Sequence, residues 1–433
     1  MPTPEEEAAI SGGASPDSVI TAFIPVLPTV VQLTGGLQHV IISDLTVAHA
    51  SEGAEGPAAR ETSYYISSAA VQLDAVMDVV LDQIRITLAG ASGLLLTDSA
   101  ASNIEVTQAE ITSVGGEALS VGLSASGVQN VWIHDSVFND TGRVFMMQPA
   151  IVRLRGAANI SLEHCDVGFG SYGGVLVGWQ RGLPTPGQNA PIDPVFVVRA
   201  NRIHDFGLGI LSDFGGVYIS SDNNVCFQKS PDACATPTLV DSNVITLGKH
   251  FSYGSNGVYM DEQVSAVNIT RNLITDIGHT GIYNHCGNDH FESNNLLIRL
   301  ARQNGGQYLG SCNSGGNPTW PNLPHGFSFT RSVVVVDPAG GPLTRDRDYR
   351  ATVFNDNVYW SADGNSASHL LVFAGNLSWA AWRATGNDTN SVIADPLLSD
   401  PVAGNYTLLP GSPALARGFQ QLPYANAGPR AKV

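Results

Sequence analysis

The stretch AVNITRNLITDIGHTGIYNHCGNDHFESNNLLI, residues 266–298, decides how this chain folds. One phrase occurs in it twice, as AVNITRNLI (266–274) and DHFESNNLL (289–297). Each copy is a short run of alternating apolar and polar residues, then a turn marked by Asn, then the start of a second apolar run. Alternation with a period of two marks a half-buried strand. Asn tolerates the left-handed backbone that ends such a strand. Between the copies lies TGIYNHC (280–286), a second short strand opened by Gly.

Working outward, the phrase recurs as HVIISDLTV (39–47), DVVLDQIRI (78–86), NIEVTQAEI (103–111), NVWIHDSVF (130–138), NISLEHCDV (159–167), VFVVRANRI (195–203) and TLVDSNVI (238–245). Spacing varies from 23 to 42 residues while the phrase persists. A fixed phrase at variable spacing means a constant rung with loops of changing length. The turn carries Asn in four rungs, at Asn201, Asn243, Asn272 and Asn295. Stacked Asn side chains can hydrogen-bond along an axis, with coils about 4.8 Å apart as in any parallel sheet. The expectation is an all-β, right-handed parallel β-helix, a solenoid. Residues 31–365 form the coil, after an N-terminal extension (1–30) and before a C-terminal cap (366–433). A β-sandwich of unrelated strands would not repeat Asn at one strand position.

A second phrase follows each rung: GGVLVGW (173–179), GGVYISS (215–221), NGVYMDE (256–262) and TGIYNHC (280–286). Alternation sets the direction of its side chains. If Val217, Ile219, Val258 and Met260 point inward, then Tyr218, Tyr259 and Tyr283 form an exposed ladder outside the coil. Ser220, Asp261 and His285 stand beside it. Such a ladder is either packing between rungs or a platform on which the faces of sugars stack.

Composition narrows the choice. Charged residues are 14% of the chain and glycines number 46, so polarity rests on Asn, Ser, Thr and Gly. Long surface helices would carry more Glu, Lys and Arg. A net charge of -17 argues against nucleic acid, because phosphate binding needs clustered cations. It also repels polyanions at long range unless a local basic patch or a metal intervenes. No apolar run is long enough to span a bilayer. The start, MPTPEEEAAISGGASPDS, lacks the basic and apolar regions of a signal peptide. Five cysteines (Cys165, Cys226, Cys234, Cys286, Cys312) are too few for a disulfide scaffold, although Cys226 and Cys234 bracket a short insertion.

Carboxylates lie beside the ladder. Asp213, in LSDFGGVY, precedes one Gly-Val-Tyr strand; Asp261 and Glu262 end the next. Two acids on neighbouring coils near an aromatic surface suit glycoside hydrolysis, in which one carboxyl protonates the leaving oxygen and the other attacks or activates water. The competing reading makes both aspartates turn residues bonded to backbone. His285, one coil beyond Asp261, is placed to orient that carboxylate or touch substrate. A metal at His285, Asp289 and His290 matches no tight ligand spacing. Arg155, Trp179 and Glu163 lie on earlier coils, where they would extend a groove. The expected site is therefore Asp213 and Asp261 as catalytic acids, with Tyr218, Tyr259, Glu262, Tyr283 and His285 binding substrate. It needs no cofactor and no metal.

The runs NRIHDFGLGILSDFGGVYISS and YGSNGVYMDEQVSAVNITRNLITDIGHTGIYNHCGNDHFESNNLLI resemble the β-helical glycoside hydrolases of family 141. The closing SVIADPLLSDPVAGNYTLLPGSPALARGF resembles the C-terminal part of that family. The likeness runs from about residue 30 to 419 and is densest over 200–298. It implies a pectate-lyase-like β-helix acting on plant or algal cell-wall polysaccharide, as an α-L-fucosidase or xylanase. The family's Asp before Gly-Gly-Ile-Tyr falls on Asp213, and the first acid of its Ile-Tyr-x-Asp-Asp falls on Asp261. The second acid of that pair is Glu262 here. Members usually carry further N-terminal coils, and this chain joins the pattern near HVIISDLTV. A missing N-terminal cap would explain the absent leader of an extracellular protein. The expected partner is an oligo- or polysaccharide met by a monomer. A uronate lyase or epimerase, or a non-catalytic glycan-binding solenoid, are the alternatives on the same scaffold.

Overall fold

A computed structural model describes residues 25–52, 68–97, 101–122, 128–146, 150–155, 158–178, 195–220, 237–261, 264, 266–285, 289–300, 309–311, 327–337, 352–363 and 377–431. Over these residues the chain is a right-handed parallel β-helix. Three parallel sheets of ten, eleven and twelve described strands run the length of the coil, and each full turn gives one strand to each. The recurrent phrase is a strand of the second sheet, a turn, and the opening of a strand in the third. In VFVVRANRI these are Phe196–Arg199, the turn at Ala200 and Asn201, and Arg202–Phe206. The Gly-opened phrase supplies the first sheet, as in Phe214–Ser220, Ser255–Asp261 and Ile282–Asn284.

The asparagines stack as the sequence predicts. Asn201 Nδ2 donates to Asn243 Oδ1 at 3.0 Å, Asn243 to Asn272 at 3.0 Å, and Asn272 to Asn295 at 3.1 Å. Each Oδ1 also accepts the backbone N–H of the Asn one coil back, at 3.0 Å throughout. The line continues through Ser332 and Asn357 toward the C-terminus and reaches back to Cys165. One detail differs from expectation. The left-handed residue is the one before each ladder position: Ala200, Ser242, Arg271 and Asn294, with φ of 53°, 57°, 57° and 59°. Placing the bend there turns the next side chain inward, where its amide can bond along the axis.

The interior is a close-packed aliphatic stack, including Ile203, Ile245 and Ile274 beside Val217, Val258 and Met260, all without solvent exposure. Beyond the last full turn, Val392–Ile393 adds a final strand to the third sheet. A short helix, α1 (Trp379–Ala384), drops Trp382 over Phe354 with ring centroids 5.3 Å apart. Asp388 ties this plug together, accepting from Trp382 Nε1 at 2.7 Å, Tyr359 OH at 2.9 Å and Asn357 Nδ2 at 3.0 Å. The hairpin Leu398–Asp400 and Asn405–Leu408 then packs outside the third sheet against Leu296 and Val333. From there the chain runs back along the coil. Gln420 bonds Asn294, Gly428 N–H donates to Ala200 carbonyl, and Arg430 grips Asp135.

Candidate active site

The candidate site lies on the outer face of the first sheet. Val217 and Val258 are in register and inward, as are Val258 and Ile282. That alternation turns Tyr218, Tyr259 and Tyr283 outward, in register with one another. Tyr218 and Tyr259 stack with centroids 4.7 Å apart and planes 4° from parallel; Tyr283 follows at 5.0 Å, tilted by 36°. The expectation of an exposed ladder is corrected here. Tyr218 and Tyr259 are only 3% and 4% exposed, and Tyr283 is half-buried. Each ring covers the next, Leu176 stands in register below Tyr218, and the phenols are tied to carboxylates instead of facing water.

Asp213 is held by its backbone. It has φ of 69°, its N–H donates to Tyr253 carbonyl at 3.2 Å, and its carbonyl accepts from Tyr172 OH at 2.5 Å. Gly254 passes so close that a Cβ there would lie 2.7 Å from Asp213 Cα. The Asp213 carboxyl accepts from Tyr259 OH at 3.3 Å. Asp261 is fixed differently: Oδ2 accepts from Tyr218 OH at 2.6 Å and Oδ1 contacts His285 Nδ1. The imidazole is in register because the His285 N–H donates to Met260 carbonyl at 2.7 Å. Its ring stacks at 5.9 Å from Tyr283.

These contacts set the protons. Burial first, and then the nearby charge of Asp261, raise the Asp213 carboxyl above the ordinary carboxylate range; donors from Tyr253 and Tyr259 pull the other way. Burial and then Asp261 hold the Tyr218 and Tyr259 phenols far above the usual phenol range, so both remain donors. The two acids thus share one flank of the coil. Asp213 is biased toward its protonated form, and both Asp261 oxygens are occupied by polar partners.

The structure brings Asp213, Asp261, Tyr218, Tyr259, Tyr283 and His285 together. Glu262 lies outside the described residues, as do Trp179, Cys226, Cys234, Cys286 and Cys312. Asp289 and His290 do not join His285: His290 is 2% exposed and in register with inward Phe327. Burial pushes its imidazole down to about 3. Glu163 sits in the second sheet, paired with Arg199 at 3.8 Å, away from the site. Arg155 directly follows the first-sheet strand Val152–Leu154, with its N–H donating to Val121 carbonyl at 2.9 Å. Sequence reasoning missed Tyr172 and Tyr253, which sit outside the Gly-Val-Tyr phrase and reach Asp213 only through the fold. It also missed Arg153, although the alternation in IVRLR points Arg153 outward between inward Val152 and Leu154.

No family model matches the sequence, and no curated protein matches it. Solved structures do resemble it. A protein described as a glycoside hydrolase superposes with a TM-score of 0.43 at 16% identity, covering 62% of this chain and 49% of its own length. The A-module of the Azotobacter vinelandii mannuronan C-5 epimerase AlgE4 gives 0.42 at 11% identity, covering 83% and 91%. Tailspike protein 3 of bacteriophage CBA120 gives 0.37 at 10% identity, covering 87% and 56%. The chain spans about half the length of the first of these.

Proposed function

We propose that this protein is a glycoside hydrolase using Asp213 as general acid and Asp261 as nucleophile or base. One observation carries the reading: two carboxyls from neighbouring coils meet at Tyr259 on the same outer flank, Asp213 raised by burial and Asp261 with a phenol on one oxygen and an imidazole on the other. Glycoside hydrolysis needs such a pair, one carboxyl protonated for the leaving oxygen and one ionised for the anomeric carbon or its water. The raised Asp213 suits the first role. Asp261, gripped by a phenol and an imidazole, suits the second. Tyr283, half-buried where Tyr218 and Tyr259 are sealed, is the ring of the ladder assigned to contact a sugar.

The resemblance to family 141 extends the reading to a cell-wall-type polysaccharide, with fucosidase- or xylanase-like specificity, acted on outside the cell by a monomer. The test is product analysis on fucosylated, xylan and uronate polysaccharides. New reducing ends without absorbance near roughly 235 nm support hydrolysis. An unsaturated product would replace it with a lyase, for which the His285–Asp261 pair offers a base. Binding without any product would leave a glycan-binding solenoid.

A further inference from the structure

Beyond the acid pair, the outward positions of the first sheet run in two parallel lines. One is Tyr283, Tyr259, Tyr218, Leu176 and Arg153, each in register with the next. The other is His285, Asp261, Ser220 and Gly178, and Arg155 continues it, one residue past the paired Leu154 and Val177. Arg155 N–H donates to Val121 carbonyl at 2.9 Å, so the coil is still stacked there. The first line is a wall of rings and Leu176 that ends in a guanidinium. The second steps from carboxylate to hydroxyl to no side chain at all. Gly178 has φ of 81°, and a Cβ on it would lie 2.4 Å from Ser220 carbonyl, so no larger residue fits.

The strip therefore has acids at one end, a floor of small residues, and two arginines at the other. At about 4.8 Å per coil, Arg155 stands roughly 14 Å along the axis from Asp261. Both arginines are 3% exposed, as enclosed as Asp261 at 7%. Glu117 ion-pairs with Arg153, both side chains being sealed from solvent, and lies within electrostatic reach of Arg155. Such planar forks recognise carboxylate and sulfate through paired N–H donors. The chain's net charge of -17 repels anionic polymers at long range, so an anionic ligand has to be met by a local cationic site.

We infer that Arg153 and Arg155 form a subsite for an anionic substituent of the sugar chain, a uronate carboxylate or a sulfate ester, on a sugar remote from the one at the acid pair. The inference rests on the hydrolase reading for which bond is cleaved, but its binding claim is separate. The strip binds a charged polysaccharide through the arginines and presents a different residue of it to Asp213 and Asp261.

The experiment is calorimetric titration of the Asp213→Asn protein with two matched pairs of oligosaccharides. One pair is glucuronate-substituted xylo-oligosaccharide and its carboxyl-reduced form; the other is sulfated fuco-oligosaccharide and its desulfated form. In one pair the anionic member is expected to bind about tenfold tighter or more. Adding Arg155→Gln should make the two members equal while the circular dichroism spectrum is unchanged. Equal affinity within both pairs, or discrimination that survives Arg155→Gln, overturns the subsite, and so does binding of none of the four. If Arg155→Gln fails to fold, the substrate comparison decides alone. Charge-selective binding by a protein that cleaves nothing would sink the hydrolase reading and leave the subsite standing.

Discussion

Asp261 and Glu292 sit on neighbouring coils, and both are nearly sealed from solvent, at 7% and 1% exposure. Their surroundings are opposite. Asp261 is on the outer flank with a phenol on one oxygen and an imidazole on the other. Glu292 points into the coil, in register with Ile269 and Phe329, and its Oε2 has no hydrogen-bond partner among the described residues. Burial alone pushes the Glu292 carboxyl up to about 8. A buried acid with partners can work as an anion, whereas one among hydrocarbons is neutral at pH 7 and contributes nothing as a charge.

The sharpest way to break this comparison is to neutralise the outer acids. Asp213→Asn and Asp261→Asn are each expected to lower turnover by at least about a thousandfold, read as reducing ends released, with the unfolding midpoint nearly unchanged. Full turnover in either variant removes that residue from the mechanism.

The inner acid tests the opposite claim. Its folded pKa lies above its unfolded value, so the unfolded state releases the proton first and stability falls as pH rises. The loss begins near the ordinary Glu value and levels off above about 8. Urea unfolding of Glu292→Gln should therefore converge with the unmutated protein near pH 4 and exceed it at pH 8, by up to about 4–5 kcal/mol. Parallel curves across that range would mean Glu292 ionises where it lies.

Asn243 is a third buried polar group, one whose bonds are all within the coil. Asn243→Ala should cost about 2–3 kcal/mol in the same urea experiment, because Val198 carbonyl and Asn201 N–H lose their partner. A loss under about half a kcal/mol would show that water replaces the amide there. The smallest change expected is in Tyr259→Phe. Its phenol favours the ionised form of Asp213, so its removal should move the alkaline limb of the kcat/KM profile to higher pH. A shift to lower pH would contradict the assignment of Asp213 as the acid.

Much of the fold was legible because a solenoid repeats. Asn201, Asn243, Asn272 and Asn295 recur at one turn, and the alternation around Tyr218, Tyr259 and Tyr283 gave their outward direction and mutual register. His285 was readable beside Asp261 for the same reason. What the pattern misplaced was the left-handed residue, since a turn spans two positions and only the geometry shows which takes the bend. Solvent exposure was also misjudged. Alternation tells which side of a strand a ring leaves from, but not what lies over that side.

By itself, then, the sequence determined the coil, its rungs, the ladder and the rung of each acid, because each follows from short-range periodicity. Tertiary structure alone decided that Tyr259 reaches back to Asp213, that Tyr172 and Tyr253 hold that residue, and that Glu292 is inside the coil. It also aligned Arg155 with Asp261 across intervals of irregular length. The physical reason is that stacking register depends on where each variable loop returns the chain to the axis, and proton affinity depends on everything packed around a carboxyl. Neither quantity is local in sequence.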